Sequence, residues 1–193
     1  MGCVVPPPRR AAPSWDRLFE FAVGQEGQFT TKQAAEAGYS PQLLLKYLKN
    51  GRVARVRRGV YRIVHFPAGD HEDLATIWLW SEKAGVFSHE TALMLHNLSD
   101  ALPRKVYLTL PSEWRKRRLR VPKGVVVHHS DVPRKDRVEI GAVPVTNARR
   151  TLLDCIDAHV SPELIEAAVR QARARGLIDA AGLKAIRARG RAA

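Results

Sequence analysis

Between Phe29 and Ile63 the chain is cut into short pieces by residues that start and stop helices, and this punctuation constrains the fold more than any other feature. Thr30 and Gln33 have capping-box spacing, in which each side chain satisfies a free backbone N–H of the first turn. The helix they open is short, because Gly38 ends it. Ser40 suits the next N-cap, and Pro41 the first helical position, where an N–H has no partner to lose. That helix runs to about Asn50, and Gly51 closes it. Then the period changes from helical to alternating. Val53-Ala54-Arg55-Val56, Arg57-Arg58-Gly59 and Val60-Tyr61-Arg62-Ile63 read as a β-hairpin with glycine at a cationic turn. Upstream, Trp15, Leu18, Phe19 and Ala22 fall at i, i+3, i+4 and i+7, which predicts an amphipathic helix between the N-cap Ser14 and the stop Gly24. Three helices followed by a basic hairpin make a winged helix-turn-helix.

Such a module places one helix in the major groove and the hairpin along a phosphate backbone or minor groove. The groove helix is expected over Pro41–Asn50, with Leu44, Leu48 and Leu45 packed inward. Ser40 starts it, Gln42, Lys46 and Lys49 are left outward, and all four are expected to contact DNA. Glutamine can pair with adenine, and lysine can reach guanine or phosphate. Arg55, Arg57, Arg58 and Arg62 on the hairpin are expected to position the protein rather than read sequence. The competing reading of all these residues is an ordinary solvated surface.

Charge agrees with a polyanionic partner. The chain of 193 residues has 32 Lys+Arg against 19 Asp+Glu, a net +13, and neutralising phosphates releases counterions. Residues 1–66 carry 11 basic and 4 acidic side chains, so over half of the net charge sits in the first third. With 45% hydrophobic residues the chain can build a core. Cys3 and Cys155 are too few for a disulfide framework or a Cys-rich zinc site. The best apolar run, Leu74 to Trp80, is far short of the ~20 residues of a membrane helix. A cytoplasmic protein without membrane attachment is expected. Residues 1–13 read as a disordered basic leader, with no apolar core for a secretory signal. Gly2 invites myristoylation, but Pro6 stands where that site wants Ser or Thr.

Domains are therefore expected at 14–66, the winged helix-turn-helix, and at 67–193, where Pro67-Ala68-Gly69-Asp70 marks a linker. The second domain opens with a helix over Asp70–Glu82 that buries Leu74, Ile77, Trp78 and Trp80. A helix capped by Ser88 follows. Strands are expected over Lys105–Leu110, Val125–His129 and Val138–Val145. Three helices close the chain, capped by Thr146 or Asn147, by Ser161 and by Asp179. The fold class is α+β. Between the first two strands, Arg115, Lys116, Arg117, Arg118 and Arg120 put five cations in seven residues, a possible second basic patch. Phosphate is its expected partner, with RNA or an acidic protein face as alternatives.

Catalytic and metal constellations are missing. His89 and His96 are seven apart with no third ligand at metal spacing. His128 and His129 face opposite sides of a strand. Ser88 is expected to be a helix cap rather than a nucleophile. Asp154 and Asp157 read as a solvated helix face, with Arg149 and Arg150 as structural partners. No metal, cofactor or enzymatic activity is expected.

The same residues resemble a known family. Phe29-Thr-Thr-Lys-Gln-Ala-Ala-Glu-Ala-Gly38, Ser40, Gly51 and Arg55-Val-Arg-Arg-Gly-Val-Tyr61 are similar to the N-terminal domain of AbiEi antitoxins. Ser88-His-Glu-Thr-Ala-Leu93 with Leu95-His96 extends the likeness, as do Val106-Tyr-Leu-Thr-Leu-Pro111 and Pro144-Val-Thr-Asn-Ala-Arg-Arg-Thr-Leu-Leu-Asp154. The resemblance implies an antitoxin of a bacterial type IV toxin–antitoxin system active in abortive infection, a form of phage defence. It implies autorepression through double-stranded operator DNA with inverted repeats, which suits a dimer on DNA. It also implies a nucleotidyltransferase-like toxin, counteracted through the C-terminal domain with or without direct contact. The endonuclease-like domain of some relatives is not expected, since no Glu-x-Lys element occurs. The alternative is a toxin-binding interaction protein for which DNA is secondary.

Overall fold

A computed structural model describes residues 12–98 and 103–191. The expected leader lies outside the described residues but for its last two, Ala12 and Pro13. The chain divides into two compact units after Trp80. Among the described residues there are eight α-helices and two sheets, a mixed α+β architecture.

The N-terminal unit begins with α1 (Trp15–Val23), capped by Ser14, whose side chain accepts from Arg17 N at 3.2 Å. Strand β1 (Gln28–Thr30) leads into α2 (Thr31–Glu36). The capping box forms: Gln33 N donates to Thr30 Oγ1 at 3.2 Å, and Thr30 N to Gln33 Oε1 at 2.8 Å. Gly38, at φ +87, turns the chain into α3 (Pro41–Lys49). Only glycine holds such a backbone angle without steric cost. Strands β2 (Val53–Arg57) and β3 (Val60–Ile63) make the wing, and β1 adds to β3 in an antiparallel sheet of order β1-β3-β2. Leu18, Ala22, Phe29, Leu44, Val53 and Ile63 fill the core beneath. β1 is an addition to the sequence reading. Three residues are too few to show a period, and their strand character comes from pairing Phe29 with Tyr61 across the sheet.

Helix α4 (Glu72–Trp80) also belongs to this unit. Gln28 Nε2 donates to Glu72 O at 2.7 Å, and Thr76 Oγ1 donates to Gln28 Oε1 at 2.8 Å. The boundary expected at 66/67 therefore falls inside the N-terminal unit. Leu74 is buried as expected, while Ile77, Trp78 and Trp80 are half-buried.

The C-terminal unit contains β4 (Val86–Phe87), α5 (His89–Leu95), β5 (Val106–Leu110), β6 (Val125–His129), β7 (Arg137–Ile140) and β8 (Val143–Thr146). Their sheet order is β6-β5-β4-β8-β7. β5 runs parallel to β6, and β4 parallel to β8. Helices α6 (Ala148–Asp157), α7 (Pro162–Ala174) and α8 (Ala180–Gly190) follow, capped by Asn147, Ser161 and Asp179. Leu93, Leu152, Ile156, Ala168 and Ile186 knit α5 to these three helices. Ser88 occupies the N-cap position of α5 without capping it. Its hydroxyl is shared instead between Thr109 Oγ1 and His89 Nδ1, each at 2.8 Å.

Candidate nucleic-acid interface

Helix α3 is held by one face. Leu44 is buried, Leu43, Tyr47 and Leu48 are half-buried, and Tyr47 stacks on Trp15 of α1 at 5.9 Å between ring centroids. Tyr39, in the turn before α3, meets Tyr47 edge-on at 5.4 Å. Burial and the neighbouring Tyr47 push the Tyr39 hydroxyl up to about 12, so this aromatic clamp stays neutral. The opposite face carries Gln42, Lys46 and Lys49, all exposed. Ser40 is spent locally, its hydroxyl accepting from Leu43 N at 3.2 Å as the N-cap. Leu45 departs from expectation. It is 51% exposed and lies with Gln42, Lys46 and Lys49. Positions 43, 44, 47 and 48 make one stripe toward the core, and position 45, a further turn of about 100° round the helix from 44, falls outside it.

The wing is pinned at its tip. Thr31 N donates to Gly59 O at 3.0 Å, which ties the turn to the first residue of α2. A register shift between Arg55 and Arg57 marks a bulge, and bulges bend a strand and re-aim its side chains. Arg55 and Arg58 are exposed, and Arg57 is half-buried. Arg62 is a correction to the sequence reading. Its guanidinium reaches Glu72 Oε1 at 2.7 Å and Phe66 O at 2.8 Å, with its side chain 18% exposed. It fastens α4 to the wing and is not free for phosphate. The acid that captures it lies ten residues on, beyond the reach of any local pattern. Arg52, unremarked in the sequence, is exposed over the Tyr47 ring at 5.3 Å and adds a cation beside α3. From Pro41 to Ile63 there are seven basic residues and no acidic one.

The second basic patch lies in the C-terminal unit. Ser112–Lys116 form a 3-10 helix, and Arg115, Lys116, Arg117, Arg118 and Arg120 are exposed. Arg117 stacks on Trp114 at 3.9 Å, and Arg115 Nη2 donates to His129 O at 3.4 Å.

Three histidines of this unit, His89, His96 and His128, point inward instead. His89, at φ +51 in the left-handed region, stacks on His128 with centroids 3.8 Å apart. Burial, then the His128 and Arg150 charges, pull His89 down to about 3. Burial likewise lowers His128 and His96, and His96 Nε2 bonds Thr146 O at 2.7 Å. Neutral, stacked imidazoles are poor acids and bases near pH 7. Among the described residues no group of three His, Cys, Asp or Glu could hold a metal. Asp154 is not the solvated residue expected. Arg150 Nε donates to its Oδ1 at 2.7 Å, Arg150 Nη2 donates to Ser130 Oγ at 3.0 Å, and burial raises the Asp154 carboxyl.

With this geometry in place, residues 16–64 match the family model described as a transcriptional regulator, AbiEi antitoxin. Over that segment the chain is similar to AbiEi-type regulators. The match falls wholly within the N-terminal unit and covers α1 through the wing. No curated protein matches the chain significantly. Among solved structures, the RV2827C protein from Mycobacterium tuberculosis is similar at 16% identity and a TM-score of 0.44, over 93% of this chain and 83% of that one. Among the described residues, no helix is long and apolar enough to cross a membrane.

Proposed function

We propose that the protein is an autorepressor and antitoxin, which binds operator DNA through α3 and the wing and counteracts a nucleotidyltransferase-like toxin through its C-terminal unit. One observation carries the DNA part. The helix face that the core leaves outward bears Gln42, Lys46 and Lys49, beside a wing bearing Arg55, Arg57 and Arg58. Gln42, Lys46 and Lys49 read bases or the adjoining phosphates, and the wing arginines position the protein. Two protomers on an inverted repeat suit this arrangement. The AbiEi-type domain supports the antitoxin part. The exposed cations at Arg115, Lys116, Arg118 and Arg120 supply further phosphate contacts.

Gel shifts of the chain on the DNA upstream of its own gene test the repressor role. Preference for that DNA over random duplex at ~150 mM salt is the expected result. Equal affinity for both would falsify it. Gln42→Ala or Lys46→Ala should alter which sequence is preferred, by roughly 1–3 kcal/mol of discrimination. Rescue of cells from a co-expressed toxin of the neighbouring gene tests the antitoxin role, and growth arrest despite full expression of the chain refutes it.

A further inference from the structure

Leu45 is an apolar side chain without a folding role. It sits in mid-helix at 51% exposure, while the core beneath α3 takes Leu44 and half-covers Leu43, Tyr47 and Leu48. Positions 42, 45, 46 and 49 fall on one helical stripe. With Asn50, these residues line a shallow depression of about 420 Å³ on the face turned away from the protein. The polar members of that stripe can donate to base edges and phosphates. A leucine can do neither. One apolar group projects into the major groove from the bases, the 5-methyl of thymine.

We propose that Leu45 is a base-reading residue, packing on the 5-methyl group of a thymine in the bound duplex. This inference rests on the DNA-binding reading above and adds a base identity to it. Gln42 and the two lysines set the register, and the leucine senses one methyl group. The contact favours DNA over RNA, because uracil carries hydrogen at that position. It also gives the exposed leucine a buried state that it has only in the complex.

The test begins with duplexes selected by the full chain from a random pool. Each thymine of the selected site is then replaced singly by deoxyuridine, which removes the methyl and keeps every hydrogen-bonding group. The wild-type chain should lose roughly three- to tenfold in affinity at one thymine of each recognition element, in line with the burial of one or two methyl-sized groups. Leu45→Ala should erase that loss while leaving the melting temperature unchanged, since the side chain is half-exposed in the free protein. Leu45→Gln should move the preferred base at the same position away from thymine. Identical deoxyuridine profiles for the wild type and Leu45→Ala overturn the role of Leu45 and leave operator binding standing. A selected site that tolerates any base opposite Leu45 overturns it as well. If no duplex is preferred over the pool, the repressor reading fails, and this inference fails with it.

Discussion

Lys46 and Lys49 of α3 project outward with no ion pair among the described residues, whereas Arg150 of α6 is enclosed by Asp154, Ser130 and Asp136. The contrast runs through both units. Cations on the outer face of α3 and on the wing stay hydrated, and a hydrated, unpaired cation keeps its capacity for phosphate. In the C-terminal unit the cluster around Arg150 is turned inward, although Arg115, Lys116, Arg118 and Arg120 stay exposed. Arg150 pairs with Asp154 and His89 stacks on His128, and their removal should register as lost stability. Arg62 is the instructive exception, a wing arginine that behaves like the C-terminal set because Glu72 closes on it. Position on a basic hairpin does not by itself leave a residue available to phosphate; an internal partner such as Glu72 takes Arg62 out of the proposed contact set.

The sharpest way to break this contrast is Arg150→Ala. It strands the Asp154 carboxylate, whose side chain is 12% exposed. Loss of one partner of a buried pair costs about 3–5 kcal/mol, and the residual exposure here trims that to roughly 2–4 kcal/mol. Urea unfolding reads it directly, and a loss under ~1 kcal/mol makes the pair equivalent to a surface one.

Acid should act next. Histidines of the unfolded chain take protons near pH 6.5, while folded His89 refuses one until about pH 3, and His96 and His128 are lowered too. Stability is therefore full above about pH 6.5 and falls as the pH drops below it, by up to ~1.4 kcal/mol per pH unit for each proton withheld. Asp154 works in the opposite sense. Its raised carboxyl makes the folded state the better proton binder just above 3.8, which offsets part of the loss toward pH 4. Urea midpoints between pH 7.5 and 4.5 measure the profile, and a flat one contradicts the inward histidines.

Arg62→Ala sharpens the comparison within the wing itself. It should cost about 1–2 kcal/mol of stability, as for a part-buried charged hydrogen bond, and leave the salt dependence of DNA binding unchanged. Arg57→Ala with Arg58→Ala should do the reverse. Stability should move by no more than ~0.5 kcal/mol, while the slope of log affinity against log salt flattens by up to ~2. If both pairs of measurements shift together, the division between paired and free arginines is wrong.

Much of the N-terminal unit was legible in advance. The capping box, the N-caps at Ser14 and Ser40, the stop at Gly38 and the hairpin around Gly59 all rest on contacts within a few residues, and the structure contains each. In the C-terminal unit, β5, β6 and the caps of α6 to α8 were equally readable, whereas the single strand expected over Val138–Val145 folds back at Gly141 into the antiparallel pair β7 and β8. The candidate site was legible in part. Gln42, Lys46 and Lys49 face outward as the helical stripe requires, and Leu45, whose hydrophobicity alone suggests the core, faces outward with them. Its spacing from 42, 46 and 49 held the signal.

Sequence alone determined where helices begin and end, where the hairpin turns and which stretch is rich in cations, because those properties depend on neighbours along the chain. Tertiary structure decided which cations remain free. Glu72 claims Arg62, Trp15 and Tyr39 orient α3 through Tyr47, and His128 meets His89 from a strand almost forty residues away. Those choices depend on partners brought together only by folding, and the local pattern of the sequence does not encode them.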